Sequence, residues 1–211
     1  MQIAVITGPT PEIALPRIRL ANNLTDGIEL RLDLFEKVNL DEISTMKTTS
    51  EGKVIFTLRT IRQGGRYKET ENQRFQLIEQ LFALEPDYID LEYDTSPVFI
   101  ERIQFKYPNS KIILSYHNFE RTPRDLDSFL INLQSKFAYA YKICTTANYL
   151  SDAYRMLRFI QKATENNIKI IGLCMGEHGH ITREEGLKSG NYLNYKILHK
   201  QDNCARGLHF A

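Results

Sequence analysis

Lys142 stands between Tyr141 and Ile143 in the apolar run "AYAYKICTT". A charged ammonium in such a run is costly unless something compensates it. Two readings follow. A structural lysine needs a carboxylate partner, and Glu29, Asp33, Asp90 or Glu92 could supply one. Otherwise desolvation and neighbouring arginines lower its pKa, and a neutral amine is a nucleophile for a carbonyl carbon. His117 closes the run "KIILSYH", where a buried strand emerges into a loop. It is either a satisfied core histidine or a general acid/base presented at a strand end. In "IELRLDLF", Glu29, Arg31 and Asp33 alternate and so share one face of a strand. Asp90 and Glu92 do the same in "YIDLEYD". Charges on a face that is covered must pair with each other or with a ligand. With Arg59 ending "VIFTLR" and Arg183 in "MGEHGHITR", a lysine, a histidine and three arginines suggest Schiff-base chemistry on an anionic keto substrate.

These groups need a scaffold that brings distant strand ends together. Apolar, β-branched runs recur over 3–8, 27–35, 54–60, 88–93, 111–119, 138–145, 168–175 and 192–198. Their starts are roughly 20 to 30 residues apart, the spacing of βα units. Helical periodicity fills several gaps. Residues 71–84 place Phe75, Ile78, Leu81 and Phe82 on one face, and 151–163 open with a Ser-Asp cap and carry Met156, Leu157 and Ile160. Residues 122–133 carry Pro123 in their first turn, with Leu126, Phe129 and Leu130 on one face. The pattern predicts an α/β chain folded as a (β/α)8 TIM barrel, whose C-terminal strand ends carry the chemistry. No GxGxxG follows the first strand, which argues against a doubly wound nucleotide-binding sheet. At 211 residues the chain is short for a barrel, and the final helix is expected to be missing or truncated. No linker divides the chain, so one domain over residues 1–211 is expected.

Composition narrows the partners. Hydrophobic residues make up 42% of the chain, enough for a full core. The net charge of +1 leaves no broad basic field, so no nucleic-acid partner is expected. Three cysteines without a CxxC read as reduced thiols. Cys144, two residues from Lys142, is placed toward the same interior. No apolar window spans a bilayer and no leader is visible, so the expected location is the cytoplasm with no membrane contact. His178 and His180 lack a third nearby ligand, and no metal is expected.

The motifs together resemble the type I 3-dehydroquinate dehydratases, the Schiff-base class of shikimate-pathway enzymes. The matching pieces are "ELRLD", "FTLRT" with Gly64-Gly65, "YIDLE", "SYHNF", "YKI" and "MGxxGxxTR" with Met175, Gly176, Gly179 and Arg183. They run in family order over nearly the whole chain. The resemblance implies that Lys142 forms an imine with the C3 ketone of 3-dehydroquinate and that His117 is the general acid/base of a syn elimination. It implies Arg183 for the substrate carboxylate, and Glu29, Arg31 and Arg59 for the C4 and C5 hydroxyls. No cofactor is implied, because the lysine itself holds the substrate.

Two positions depart from the family. Gln63 stands where a glutamate commonly precedes the Gly-Gly near the catalytic histidine. An amide can position an imidazole but cannot stabilise imidazolium by charge, so a less basic His117 is expected. At 204–208 the sequence is Cys-Ala-Arg-Gly-Leu in place of the family's Ser-Ala-Pro-Gly-Gln lid, with Arg206 as a partial substitute for the lost ligands. In some lineages the enzyme is fused to a shikimate dehydrogenase, and this chain is expected to be the N-terminal part of such a protein or a truncation. An associated dehydrogenase and an oligomer are both compatible with the sequence. Another class I Schiff-base lyase or aldolase explains Lys142 but not the motif set. A degenerate barrel that binds shikimate-like acids, or scaffolds a partner, without catalysis is a second alternative, and a purely structural barrel with an internal ion-pair network is a third.

Overall fold

Runs such as "IAVI" and "IIGLCM" are apolar on both faces, the pattern of parallel strands covered on both sides. In the computed structural model, which describes residues 1–199, they form a parallel sheet of eight strands among the described residues. The strands are β1 (Gln2–Ile6), β2 (Gly27–Arg31), β3 (Lys53–Thr57), β4 (Tyr88–Glu92), β5 (Lys111–His117), β6 (Ala140–Thr146), β7 (Ile170–Met175) and β8 (Asn194–Lys196). Their order is β7-β6-β5-β4-β3-β2-β1-β8, so neighbours in space are neighbours in sequence until the chain returns to pair β8 with β1. The sheet curls into a nearly closed (β/α)8 TIM barrel. The remaining β7–β8 seam is bridged by other means. The Tyr192 N–H donates to the Ile170 carbonyl (2.8 Å), and the Asn191 side-chain amide takes both the N–H and the carbonyl of Gly172 (2.7 and 3.0 Å).

The helices α1 (Pro11–Asn22), α2 (Leu40–Thr49), α3 (Glu71–Phe82), α4 (Pro97–Lys106), α5 (Leu126–Gln134), α6 (Leu150–Glu165) and the short α7 (Ile181–Glu184) alternate with the strands. Outward strand residues such as Ile28, Phe56, Ile89 and Leu114 pack with helix residues in one large core. Inward residues Ile3, Val5, Ile55, Ile113, Ile171 and Leu173 fill the barrel itself. At the N-terminal pole, Tyr192 packs edge to face against Tyr88 and Tyr139, which are tilted against each other, with Tyr88 and Tyr192 hydroxyls 2.7 Å apart. That aromatic plug leaves the opposite pole as the place for a site.

Three local expectations need correction. The second strand ends at Arg31, and Leu32–Leu34 form a single 3-10 turn. Asp33 is therefore past the strand, and its carboxylate turns back on Arg31. Ser151 does not cap α6. Tyr149 is the N-cap, and Asp152 one turn in accepts from the N–H groups of Asn148 and Tyr149. Pro123 precedes α5, which Asp125 caps through the Ser128 N–H, because Thr122 is held in the loop by Thr145 and the Thr146 carbonyl. The expectation about the final helix falls on residues 200–211, outside the described residues.

Truncating Asn191 to alanine would strand the buried N–H and carbonyl of Gly172. Asn191→Ala is expected to lower unfolding free energy by about 2–4 kcal/mol in a urea titration. A loss below about 1 kcal/mol would show that the seam does not depend on this amide.

Candidate active site

Inward positions at the C-terminal ends of the strands carry the charges. Lys142 is central. Its register partner on β5 is Ser115, and His117 pairs with Cys144 one step further toward the mouth. Lys142 is only 5% exposed, and its Nζ donates to Glu29 Oε1 (3.3 Å) and Asp90 Oδ2 (3.1 Å). The ring of Tyr195 lies under it, 4.0 Å from Nζ to centroid. Asp90 also accepts from the Ser115 hydroxyl (2.6 Å) and pairs with Arg59 (2.7 Å). Arg59 in turn holds Glu92 (2.7 Å), which accepts from the Thr60 N–H. Arg31 grips Asp33 with two parallel bonds of 2.9 Å. Lys142 and Arg59 thus share Glu29, Asp90 and Glu92 in one buried network, with Arg31–Asp33 as a separate buried pair.

This arrangement overturns the expectation of a depressed lysine pKa. Burial does push the Lys142 pKa down, but Glu29, Tyr195 and Asp90 outweigh it and hold the ammonium well above its ordinary value. The arginines that were to repel it are already matched by Asp33, Asp90 and Glu92. The Asp90 carboxyl shows the reciprocal effect: burial opposes its charge, yet Arg59 and Lys142 keep it far below the usual carboxylate range.

His117 is part-exposed at the mouth, while its Nδ1 is buried and has no hydrogen-bond partner. Burial first, then Arg59 and Lys142, hold its pKa well below 6.5, so the resting imidazole is neutral. Gln63 reaches β5, but its Oε1 accepts from the main-chain N–H of His117 (2.9 Å) and not from the ring. The loop that carries Gln63 is locked by its glycines. Gly64 adopts φ +82° under the Phe119 ring, and a Cβ on Gly65 would lie 2.1 Å from the Arg59 carbonyl.

Arg183 follows β7. The Cys174 N–H donates to the Thr182 hydroxyl (2.9 Å), which fixes the loop, and Arg183 donates to the Cys174 carbonyl (3.0 Å). Among the described residues no carboxylate pairs with Arg183, and its Nε is buried without a partner. Glu29, Arg31, Arg59, His117, Lys142, Cys144, Met175 and Arg183 all line one cavity, whose empty space of about 500 Å³ continues into open solvent. Val5, Leu173 and Tyr195 complete its wall. Gln63 lies behind His117, outside the lining, and Asp33 stands off behind Arg31. Tyr195 was not singled out from sequence. Its signal was weak: an inward position two residues after Leu193 in a three-residue strand. Arg206 and the 204–208 segment lie outside the described residues. No group of three or more His, Cys, Asp or Glu side chains among the described residues is arranged to hold a metal ion.

Against known proteins, the family model for type I 3-dehydroquinase matches residues 3–208. The chain belongs to this family. A 3-dehydroquinate dehydratase of Methanopyrus kandleri is 32% identical over 209 residues, covering 95% of this chain and 91% of that protein. The bifunctional 3-dehydroquinate dehydratase/shikimate dehydrogenase of Arabidopsis thaliana is 36% identical over 186 residues. There the match covers 86% of this chain but only 30% of the relative. Among solved structures, the type I family fold recurs in the 3-dehydroquinate dehydratase of Aquifex aeolicus, with a TM-score of 0.79, 28% identity, and 100% and 94% of the two chains covered.

The neutral His117 has a consequence for stability. Unfolding frees the imidazole to bind a proton below pH 6.5, whereas the folded site resists it. The unfolded state then binds more protons, so stability falls as pH drops from 6.5 toward the lowered native pKa. Thermal unfolding between pH 7 and 5 should show this slope, and His117→Asn should flatten it. An unchanged slope in the variant would place the titrating group elsewhere.

Proposed function

We propose that this chain dehydrates 3-dehydroquinate to 3-dehydroshikimate through an imine on Lys142. The observation that carries the reading is the pairing, in a type I 3-dehydroquinase, of a buried lysine on β6 with a neutral histidine on β5 at one cavity. The substrate carboxylate would meet Arg183, the cation left without a carboxylate. Glu29, Arg31 and Arg59 would face the ring hydroxyls, and Gln63 would hold His117 through its main chain. Arg206 is kept as a candidate ligand on sequence grounds.

The chemistry follows from the charge state. Lys142 rests as an ammonium and must lose its proton before attack. The imidazole, uncharged and without a partner on Nδ1, is the base available in the cavity. The amine adds to the C3 ketone, and water leaves to give the iminium. That cation is an electron sink, so the C2 proton becomes acidic enough for His117 to remove. The enamine then expels the C1 hydroxyl, and His117 returns the proton so that it departs as water. Hydrolysis of the iminium releases product and the lysine. Glu29 and Asp90 stabilise each cationic nitrogen along the way. The imine fills the electron-sink role, so the proposed reaction calls on no separate cofactor. By analogy with the Arabidopsis relative, a shikimate dehydrogenase, fused or separate, is the proposed consumer of the product. The 211 residues are taken as one barrel domain.

Mixing the protein with 3-dehydroquinate and borohydride should add a ligand-sized mass to the peptide that contains Lys142. Lys142→Ala should abolish the adduct and lower kcat by more than about 10³-fold. Binding without any adduct would support a non-catalytic barrel instead. A second test addresses Gln63. Gln63→Glu places a negative charge beside the imidazole and should move the histidine limb of the kcat/KM profile to higher pH. An unmoved limb would refute a role for this position in His117 basicity.

A further inference from the structure

Tyr195 is 5% exposed, and among the described residues its buried hydroxyl finds no acceptor, because the Lys142 ammonium beside it is itself a donor. An unmade bond at a buried phenol is unfavourable, and native structures rarely leave one without a reason. Two carboxylates stand near it, and both take donors from other residues. Glu29 accepts from Thr57 and Lys142, and Asp90 from Ser115, Arg59 and Lys142. Tyr195 also lines the cavity, and its ring lies 4.0 Å from the Lys142 nitrogen. A carbonyl attacked by that nitrogen would bring its oxygen into the same corner of the barrel. Burial pushes the phenol pKa up, so the group remains a neutral donor.

We infer that Tyr195 is a further catalytic residue, whose hydroxyl donates a hydrogen bond to the oxygen of the carbonyl that Lys142 attacks and whose ring faces the cationic nitrogen. The inference rests on the imine reading above and deepens it. As the C–N bond forms, the carbonyl π pair moves to oxygen, and charge builds there. A fixed donor at that oxygen lowers the barrier. The same bond then orients the carbinolamine hydroxyl as it leaves. The step balances without an outside reagent: ammonium plus ketone gives iminium plus water, with the two protons of the water drawn from the original ammonium by way of His117. Tyr195 gives up no proton. The ring serves both ends of the step, because ammonium and iminium are both cations against its π face.

The test is Tyr195→Phe, which keeps the ring and removes only the hydroxyl. Wild type and variant are mixed with 3-dehydroquinate, quenched with borohydride at successive times, and scored by mass for the Lys142 adduct. The adduct should form about tenfold more slowly in the variant and reach the same final extent. The Tm of the variant should equal or exceed that of wild type, because an unpartnered buried hydroxyl is lost. An unchanged rate would overturn the assignment by showing the hydroxyl to be idle. A lower Tm would overturn it by showing a partner within the protein. Wild type that forms no adduct would overturn this inference together with the imine reading, whereas wild-type labelling with an unaffected variant would remove Tyr195 alone.

Discussion

An ammonium inside a barrel is tolerable only where carboxylates meet it, and the Lys142–Glu29–Asp90 cluster imposes that constraint on the rest of the site. Two buried carboxylates near one lysine would repel each other, so Asp90 requires Arg59. Arg59 brings Glu92, whose second oxygen is held by the Thr60 N–H. Ser115 satisfies Asp90 from the next strand. The chain of alternating charge therefore runs from β2 across β3, β4 and β5 to β6. Removing one member would leave another charge uncompensated in the interior, which is far worse than never burying the pair.

The same cluster shapes the chemistry. It favours the protonated lysine, so in the proposed reaction the nucleophile rests in an unreactive form. It equally favours the iminium, which carries the same charge at the same atom. A site built to hold a cationic nitrogen is thus matched to the intermediate more than to the free amine. His117 is the complementary half. Burial first, then Arg59 and Lys142, keep it uncharged against the opposing pull of Asp90. Arg183 stands apart from the network, with no carboxylate paired to it among the described residues, and in the proposed reaction it would meet the substrate carboxylate.

Much of the fold was visible in the sequence because β strands covered on both faces leave unmistakable apolar runs, and eight such runs at regular spacing admit few topologies. The charged strand residues were visible for the same reason: Glu29, Asp90, Glu92 and Lys142 stand out in apolar surroundings. Glu29 and Asp90 are two of the four partners the sequence offers Lys142, but which carboxylate meets which cation was not visible. Sequence alternation places Asp33 beside Glu29 and Arg31, but the strand ends at Arg31, and the 3-10 turn sends Asp33 back to clamp that arginine. The sign of the Lys142 shift depended on which cations were already neutralised, a three-dimensional property. Tyr195 was hidden because a three-residue strand gives almost no alternation to read, and because tyrosine is ordinary in a core. Gln63 was legible as a departure from the family, but its bond to the His117 main chain required the geometry of the Gly64-Gly65 turn.

The central claim is that Lys142 rests as a carboxylate-held ammonium, and direct observation of its side-chain nitrogen tests it best. With 15N-labelled lysine, the Lys142 Nζ resonance, assigned by loss in Lys142→Arg, can be followed by NMR through an alkaline titration. The account requires an ammonium that persists above pH 10.5, the ordinary lysine value, and that loses its proton at lower pH in Glu29→Gln. A neutral Lys142 amine near pH 7 in the unliganded protein would contradict it.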